Sequence, residues 1–235
     1  MIPIFIITCD RLRVLKQSLR SYYDSIATPF KIVIIDFGST YEPTTKFLRH
    51  LESRRTKVYW RERIDSVNGL NSINECIQDY FGWHPESNYV VTDPDIALDD
   101  VKGDILEVYS FLLENLRNAS SIGPMLRIDD IPDYYPHRER VIRNSWHVDF
   151  HQREINTIEY GEGEAINFVY APIDTTFGMV RAGVRWVRPM RGARVLSPYS
   201  AKHLDWYLDP ENLTGDQRYY MENASNKIAH WSMWG

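Results

Sequence analysis

Short apolar runs alternate with segments of helical apolar spacing through residues 1–100, and this alternation restricts the fold more than any other feature. Strands that alternate with helices across short connections build a parallel sheet with right-handed crossovers. The sequence therefore predicts a doubly wound α/β layout for this half of the chain. The predicted strands are 4–8, 30–35 and 58–60, and the helices that follow them are 12–23, 44–52 and 70–81.

A fourth apolar run, Tyr89–Thr92, stops at two carboxylates, Asp93 and Asp95, that are one residue apart. Ligands of open α/β sheets collect just beyond the carboxyl ends of such strands. Pro94 fixes a backbone angle between the two acids, so a kinked loop can turn both carboxylates toward one point. Their hard oxygen atoms suit Mg²⁺ or Mn²⁺ carrying a phosphate, although acids are also common in solvated turns.

The second half of the chain has a less regular pattern. A helix is predicted over 102–118, and a proline-rich segment without clear periodicity follows it. Further strands are predicted, two of them on either side of Asp174. They cover 165–170, 175–181 and 192–199. We expect one domain, 1–235, with a nucleotide-binding half at 1–100 and an acceptor and catalytic half at 101–235.

Charge and composition narrow the class of protein. The formal net charge is −5, so a surface that binds nucleic acid or anionic membranes is not expected. Cys9 and Cys76 lie in apolar patterns without short spacing, which indicates reduced, buried thiols. The apolar start of the chain becomes polar at Thr8, too early for a signal sequence or a membrane span. We expect a cytoplasmic protein.

Six segments form a pattern that spans almost the whole chain. They are Ile-Phe-Ile-Ile-Thr-Cys-Asp-Arg (4–11), Ile-Ile-Asp-Phe-Gly-Ser-Thr-Tyr (34–41), Thr-Asp-Pro-Asp (92–95), Leu-Arg-Ile-Asp-Asp-Ile-Pro-Asp-Tyr-Tyr-Pro (126–136), Asp-Thr-Thr-Phe (174–177) and His-Leu-Asp-Trp-Tyr (203–207). In this order they resemble the nucleotide-sugar glycosyltransferases of the GT-A type. Among these, the chain is most similar to small family-two-like members, including the N-terminal domain of a capsid-glycosylating enzyme from a large DNA virus.

The resemblance implies a GT-A fold, in which a Rossmann-like, mostly parallel central sheet carries helices on both faces. It also implies metal-dependent transfer of a sugar from a UDP-sugar donor to a glycan or another hydroxyl acceptor. The implied cofactor is Mn²⁺ or Mg²⁺. The chain departs from the family at Phe37, which follows Asp36 where many relatives carry a second acid, so only Asp36 carries over.

Four residues at strand ends would bind the donor by this resemblance. Asp36 would hydrogen-bond the uracil ring, and Asp93 would bind the ribose hydroxyl or reach the metal through water. Thr8 and Arg11 would touch the ribose or the diphosphate. The alternatives are a turn-initiating acid ahead of Gly38 for Asp36 and a solvated surface charge for Arg11.

The resemblance also implies a metal site and a catalytic carboxylate. Asp95 would be a direct metal ligand, and His203 would complete the site, with His230 as the reserve. Asp174 would take the proton of the acceptor hydroxyl, or would stabilise an oxocarbenium-like centre in a retaining transfer. For His203 the alternative is a histidine that only packs. For Asp174 it is a strand-capping acid that bonds a nearby threonine.

Two other functions stay open at the level of sequence. A sugar- or nucleotide-binding module of the same fold, without catalysis, would need neither a metal nor a base. Phosphatases with an Asp-x-Asp motif normally carry it after a strand near the N-terminus, whereas here it lies in mid-chain. Slow hydrolysis of the donor would distinguish a transferase from a binding module.

Overall fold

The computed structural model describes residues 1–63, 71–224 and 231–233. Strands within these ranges are β1 (Ile2–Thr8), β2 (Phe30–Phe37), β3 (Lys57–Arg61), β4 (Tyr89–Thr92), β5 (Ile96–Ala97), β6 (Ser121–Pro124), β7 (Asn156–Tyr160), β8 (Glu164–Tyr170), β9 (Gly178–Val180), β10 (Gly192–Val195) and β11 (Lys202–His203). The α-helices are α1 (Leu12–Ser25), α2 (Glu42–Ser53), α3 (Asn71–Phe81), α4 (Ile105–Asn115), α5 (Arg138–Asn144), α6 (Trp146–His151) and α7 (Gly215–Asn223). None of them has the length and apolar character needed to cross a bilayer.

The alternation of strands and helices predicted for the first half is confirmed, with Leu70 of the third predicted helix outside the described residues. The second half differs in its strand boundaries. The strand predicted over 175–181 begins only at Gly178, because the residues before it turn toward β4 and contact Asp93. The strand predicted over 192–199 ends early, ahead of the cis peptide bond at Pro198. The strand predicted over 165–170 is confirmed as β8, but its hairpin partner β7 and the short helices α5 and α6 were not predicted.

Nine of the described strands form one mixed sheet in the order β3-β2-β1-β4-β9-β6-β10-β8-β7. Its first four strands are mutually parallel, as the sequence predicts. Within this sheet β8 and β9 run against the other seven, so the expectation of a mostly parallel sheet is confirmed. Strand β9 comes from the second half of the chain and lies between β4 and β6, which joins both halves in one core.

Apolar side chains cover both faces of this sheet because successive residues of a buried strand point to opposite sides. In β1, Ile4 and Ile6 belong to the cluster that includes Leu15 of α1. Phe5 packs on the opposite face, in the cluster that includes Ile73 of α3. Each fully buried side chain of this size contributes about 1.5–3 kcal/mol relative to exposure. Helices therefore cover both faces, as the resemblance implies.

The strand directions decide which side chains meet. The carboxyl ends of β1, β2 and β4 share one edge of the sheet. Because β9 is antiparallel to β4, with Gly178 paired to Val91, the residues just before β9 reach the same edge. A second sheet of two strands, β5 and β11, pairs His203 with Ile96, directly after the acidic loop. Residues that are far apart in sequence thus converge at this edge.

Candidate metal and donor site

A buried group of three side chains lies beyond the end of β4. Asp95, His203 and Asp205 offer ligand atoms that all lie within 4.8 Å of one another. The antiparallel pairing of β5 with β11 holds this arrangement, and the N–H of Leu204 donates to the Asp95 carbonyl at 2.7 Å. A short 3₁₀ helix, Leu204–Tyr207, then turns Asp205 back toward the loop.

Two atoms of this cluster show that it fits a cation. Asp95 Oδ1 and His203 Nδ1 are buried and have no hydrogen-bond partner among the described residues. An unpaired buried polar atom is costly, so such atoms in a native site call for a ligand. The imidazole is held in place by Trp206, whose fully buried ring stacks on it at 4.9 Å and 8°. Carboxylate oxygen with imidazole nitrogen suits Mn²⁺ or another divalent transition metal. The reserve ligand, His230, lies outside the described residues.

Arg11 neutralises part of this cluster. Its guanidinium donates to Asp95 Oδ2 at 3.1 Å and also to Asp205, and it lies 4.3 Å from the ring centre of Tyr220. Burial raises the pKa of Asp95. Burial also opposes ionisation of Asp205, but the charges of Arg11 and His203 and the hydrogen bonds from Ser232 and Arg11 together lower the pKa of Asp205. The other Asp205 oxygen accepts from Ser232 Oγ. Arg11 is therefore no solvated surface charge, the alternative that the sequence left open.

Asp93 joins the acidic loop to the segment that precedes β9. Its N–H donates to the Thr175 carbonyl at 2.6 Å, and its carboxylate accepts from the Thr175 hydroxyl. Burial, followed by repulsion from Asp95, raises the pKa of Asp93 to about 7. A bound cation would lower that pKa again, because it favours the ionised carboxylate.

Asp174 is held by a buried arginine. Arg194, with 1% of its surface exposed, donates to Asp174 Oδ1 at 3.4 Å and to the Pro124 carbonyl at 3.1 Å. Burial opposes ionisation of Asp174, but Arg194, the hydrogen bond from Thr176 and further nearby positive charges together lower the pKa of this carboxyl. Thr176 Oγ1 also donates to Asp174 at 2.8 Å, which is the threonine contact of the capping alternative. The carboxylate is thus oriented and stays ionised.

Thr8 and Asp36, two of the residues predicted to bind the donor nucleotide, are paired in register between β1 and β2 at this edge of the sheet. Thr8 Oγ1 is buried without a hydrogen-bond partner in the described part of the chain. Asp36 accepts from the Ser39 N–H at 3.0 Å and from its hydroxyl, which are the contacts of a turn-initiating acid. Gly38 has φ +71°, and an added Cβ would lie 2.8 Å from the Arg63 nitrogen, so this turn requires glycine.

Sequence reasoning missed three residues of this region. Asp205 follows His203 at the same spacing as Asp95 follows Asp93, and this spacing was an available signal. Asp10 is fully buried and accepts from two backbone N–H groups of the β2–α2 loop, at 2.7 and 2.8 Å. Ser232 had no sequence signal, because it reaches Asp205 only through the fold.

A fourth missed residue, Arg188, lies at the rim of the site. Ile173 and Met190 exchange backbone hydrogen bonds of 2.9 and 2.6 Å in an antiparallel bridge, two residues beyond Arg188. The Arg188 side chain is exposed. Its positive charge contributes to lowering the pKa of Asp93 and of Asp174, so it acts on both carboxylates.

No family model matches this chain, and no curated protein matches it. Solved structures do match this chain. Staphylococcus aureus TarS 1–349 aligns over 98% of this chain and 68% of its own length, at 11% identity and a TM-score of 0.50. The longer TarS structure aligns with the same values over 41% of its length. The mannosyltransferase PcManGT from Pyrobaculum calidifontis, in complex with GDP-Man and Mn²⁺, aligns at 17% identity over 55% of this chain, with a TM-score of 0.42.

The TarS alignment covers nearly the whole chain and shows its fold, which is the GT-A fold of nucleotide-sugar glycosyltransferases. The chain spans about a third of the length of PcManGT, 36%. Identities this low show fold alone, because one fold carries many functions. The likeness to a viral capsid-glycosylating enzyme, predicted from the sequence, is not among these findings and stays a prediction.

Proposed function

We propose that this chain is a metal-dependent glycosyltransferase that moves a sugar from a UDP-sugar donor to a hydroxyl of a glycan or similar acceptor. The observation that carries the proposal is the buried cluster of Asp95, His203 and Asp205, with two unpaired ligand atoms, at the carboxyl end of a parallel strand. Ligands of α/β sheets bind at this edge. The GT-A fold is consistent with that chemistry.

Asp95 and His203 would hold the cation, with Asp93 as the neighbouring acid. A cation there would bridge the diphosphate oxygens and neutralise the charge that develops as the sugar–phosphate bond breaks. Burial supports this role, because water is excluded and each charge interaction is stronger than it would be at the surface. The nitrogen ligand favours Mn²⁺ over Mg²⁺.

Thr8, Arg11 and Asp36 would bind the nucleotide. The unpaired hydroxyl of Thr8 supports a contact with ribose or diphosphate. Arg11 lies beside the cation position, where its guanidinium can reach a diphosphate oxygen. Asp36 would accept from the uracil ring while it keeps its turn contacts, since a carboxylate has four lone-pair positions.

Asp174 would act on the acceptor. As a general base it would take the acceptor proton while the acceptor oxygen attacks the anomeric carbon. Its ion pair with Arg194 keeps it ionised but makes it a weaker base, which suits stabilisation of an oxocarbenium-like centre equally well. Exposed Arg188 beside this segment is available to an anionic group of the substrates.

A binding module without catalysis is the second candidate, and one observation favours it. Arg11 already pairs with Asp95 and Asp205, so the acids are partly neutralised without a metal. Such a module would bind a nucleotide or a sugar but would leave the donor intact.

Incubation with a panel of UDP- and GDP-sugars tests the proposal, with Mn²⁺ or with EDTA, by the release of nucleoside diphosphate. We expect slow hydrolysis of one nucleotide class, present with Mn²⁺ and absent with EDTA. His203→Gln should abolish it, because glutamine does not supply the imidazole nitrogen. His84→Gln, at an exposed histidine, should not. Tight binding of a donor that stays intact would favour the binding module, and no release or binding across the panel would contradict both.

A further inference from the structure

The guanidinium of Arg11 is bound to both carboxylates of the acidic cluster. It bonds both Asp95 Oδ2 and Asp205 Oδ1, and the Arg11 side chain is only 11% exposed. The opposing oxygen of Asp205 is taken by Ser232. Only Asp95 Oδ1 and His203 Nδ1 then stay unpaired among the described atoms of the cluster.

The charges explain what this pairing does. Arg11 neutralises part of the negative charge of Asp95 and Asp205. A divalent cation bound at Asp95 would lie close to this guanidinium, and at buried positions the repulsion between the two cations is screened little by solvent. A diphosphate would restore the balance, because it brings negative charge and accepts hydrogen bonds from a guanidinium.

We propose that Arg11 is a built-in counter-ion that holds metal affinity low until a nucleotide diphosphate arrives, so that metal and donor bind together. The inference rests on the proposed function and deepens it by naming the residue that couples the two ligands. Because such coupling is reciprocal, the metal strengthens nucleotide binding by the same factor as the nucleotide strengthens metal binding.

The C-terminal segment holds Arg11 in place. Tyr220 of α7 lies over the guanidinium, and Asp216 accepts from the Arg13 N–H at 2.7 Å, which ties α7 to the first turn of α1. A narrow cavity lined in part by Asp10 and Met221 borders the Arg11 side chain.

Titration of Mn²⁺ into the protein without nucleotide, followed by the loss of the free-ion electron paramagnetic resonance signal, tests this inference. Wild-type protein should bind Mn²⁺ weakly, and Arg11→Gln should bind it roughly tenfold more tightly or better. Arg20→Gln is the matched control. It makes the same change on the same helix, at a side chain that is 85% exposed, and should leave the affinity unchanged.

Addition of UDP gives the second readout. It should tighten Mn²⁺ binding to wild type by roughly tenfold or more and should change Arg11→Gln far less. Arg11→Lys keeps the positive charge but replaces the planar guanidinium, so its Mn²⁺ affinity should fall between those of wild type and Arg11→Gln. It replaces Arg11→Gln in this test if that variant melts early. If both variants bind Mn²⁺ no more tightly than wild type does, the inference is overturned, while UDP binding would still support the transferase. Absence of Mn²⁺ binding in every variant would overturn both.

Discussion

Asp95→Asn is expected to lower the rate of Mn²⁺-dependent donor turnover by about a thousandfold, close to 4 kcal/mol of transition-state stabilisation. The change keeps the shape of the side chain but removes the negative charge and replaces one carboxylate oxygen by an amide nitrogen that does not bind the ion. Asp95 is buried beside His203, so no solvent-exposed acid can take its place. Release of nucleoside diphosphate from the donor measures the effect.

Asp99→Asn is the matched control, because Asp99 is an exposed acid just beyond β5 and its substitution makes the same change of charge. Its turnover should stay within about twofold of wild type, since surface substitutions have small effects. Both variants should melt cooperatively, which separates a lost ligand from a lost fold. Undiminished Mn²⁺-dependent turnover in Asp95→Asn would show that the ion binds elsewhere.

Asp174→Asn is expected to lower sugar transfer by about a thousandfold, within the range for loss of a positioned acid–base group. Donor affinity should change little, because Asp174 lies on the β9 side of the site, away from Thr8 and Asp36. Transfer to an acceptor and calorimetric binding of the donor, measured on the same protein, separate the two effects. Asp133→Asn, at a side chain 98% exposed, is the control.

The pH profile gives a second test of Asp174. Its pKa lies below the ordinary value, so the carboxylate is ionised above that value and protonates only in stronger acid. Protonation of Asp174 should therefore not lower the rate of wild-type transfer between about pH 5 and 8. Undiminished transfer in Asp174→Asn would contradict the assigned role. So would a change of the wild-type rate near neutral pH that is absent in this variant.

The first half of the fold was predictable because its signals are local. A run such as Tyr89–Thr92 is apolar or β-prone at every position, which occurs when a strand is covered on both faces. The helices between such strands show an apolar stripe in the sequence. Strand β8 was predicted over 165–170 and is confirmed, but its partner β7 was missed because the short sequence Asn-Thr-Ile-Glu-Tyr has a weak apolar pattern. Its pairing is decided by packing rather than by local pattern.

The sequence proposed candidate residues for the site but gave no information on their contacts. Asp95 and His203 meet through two-residue strands, β5 and β11, which are too short to leave a sequence signature. The contact between Arg11 and Asp205 depends on the same pairing, so neither residue alone indicates it. Asp36 was correctly placed at a strand end, but its hydrogen bonds to Ser39 follow from the turn geometry.

Calorimetric titration of UDP into the wild-type protein, with Mn²⁺ and with EDTA, tests most directly whether this site is a metal-dependent nucleotide site. We predict binding that is strong with Mn²⁺, weak or undetectable with EDTA, and insensitive to Mn²⁺ in Asp95→Asn. Binding of equal strength with Mn²⁺ and with EDTA, or no binding in either, would contradict the account.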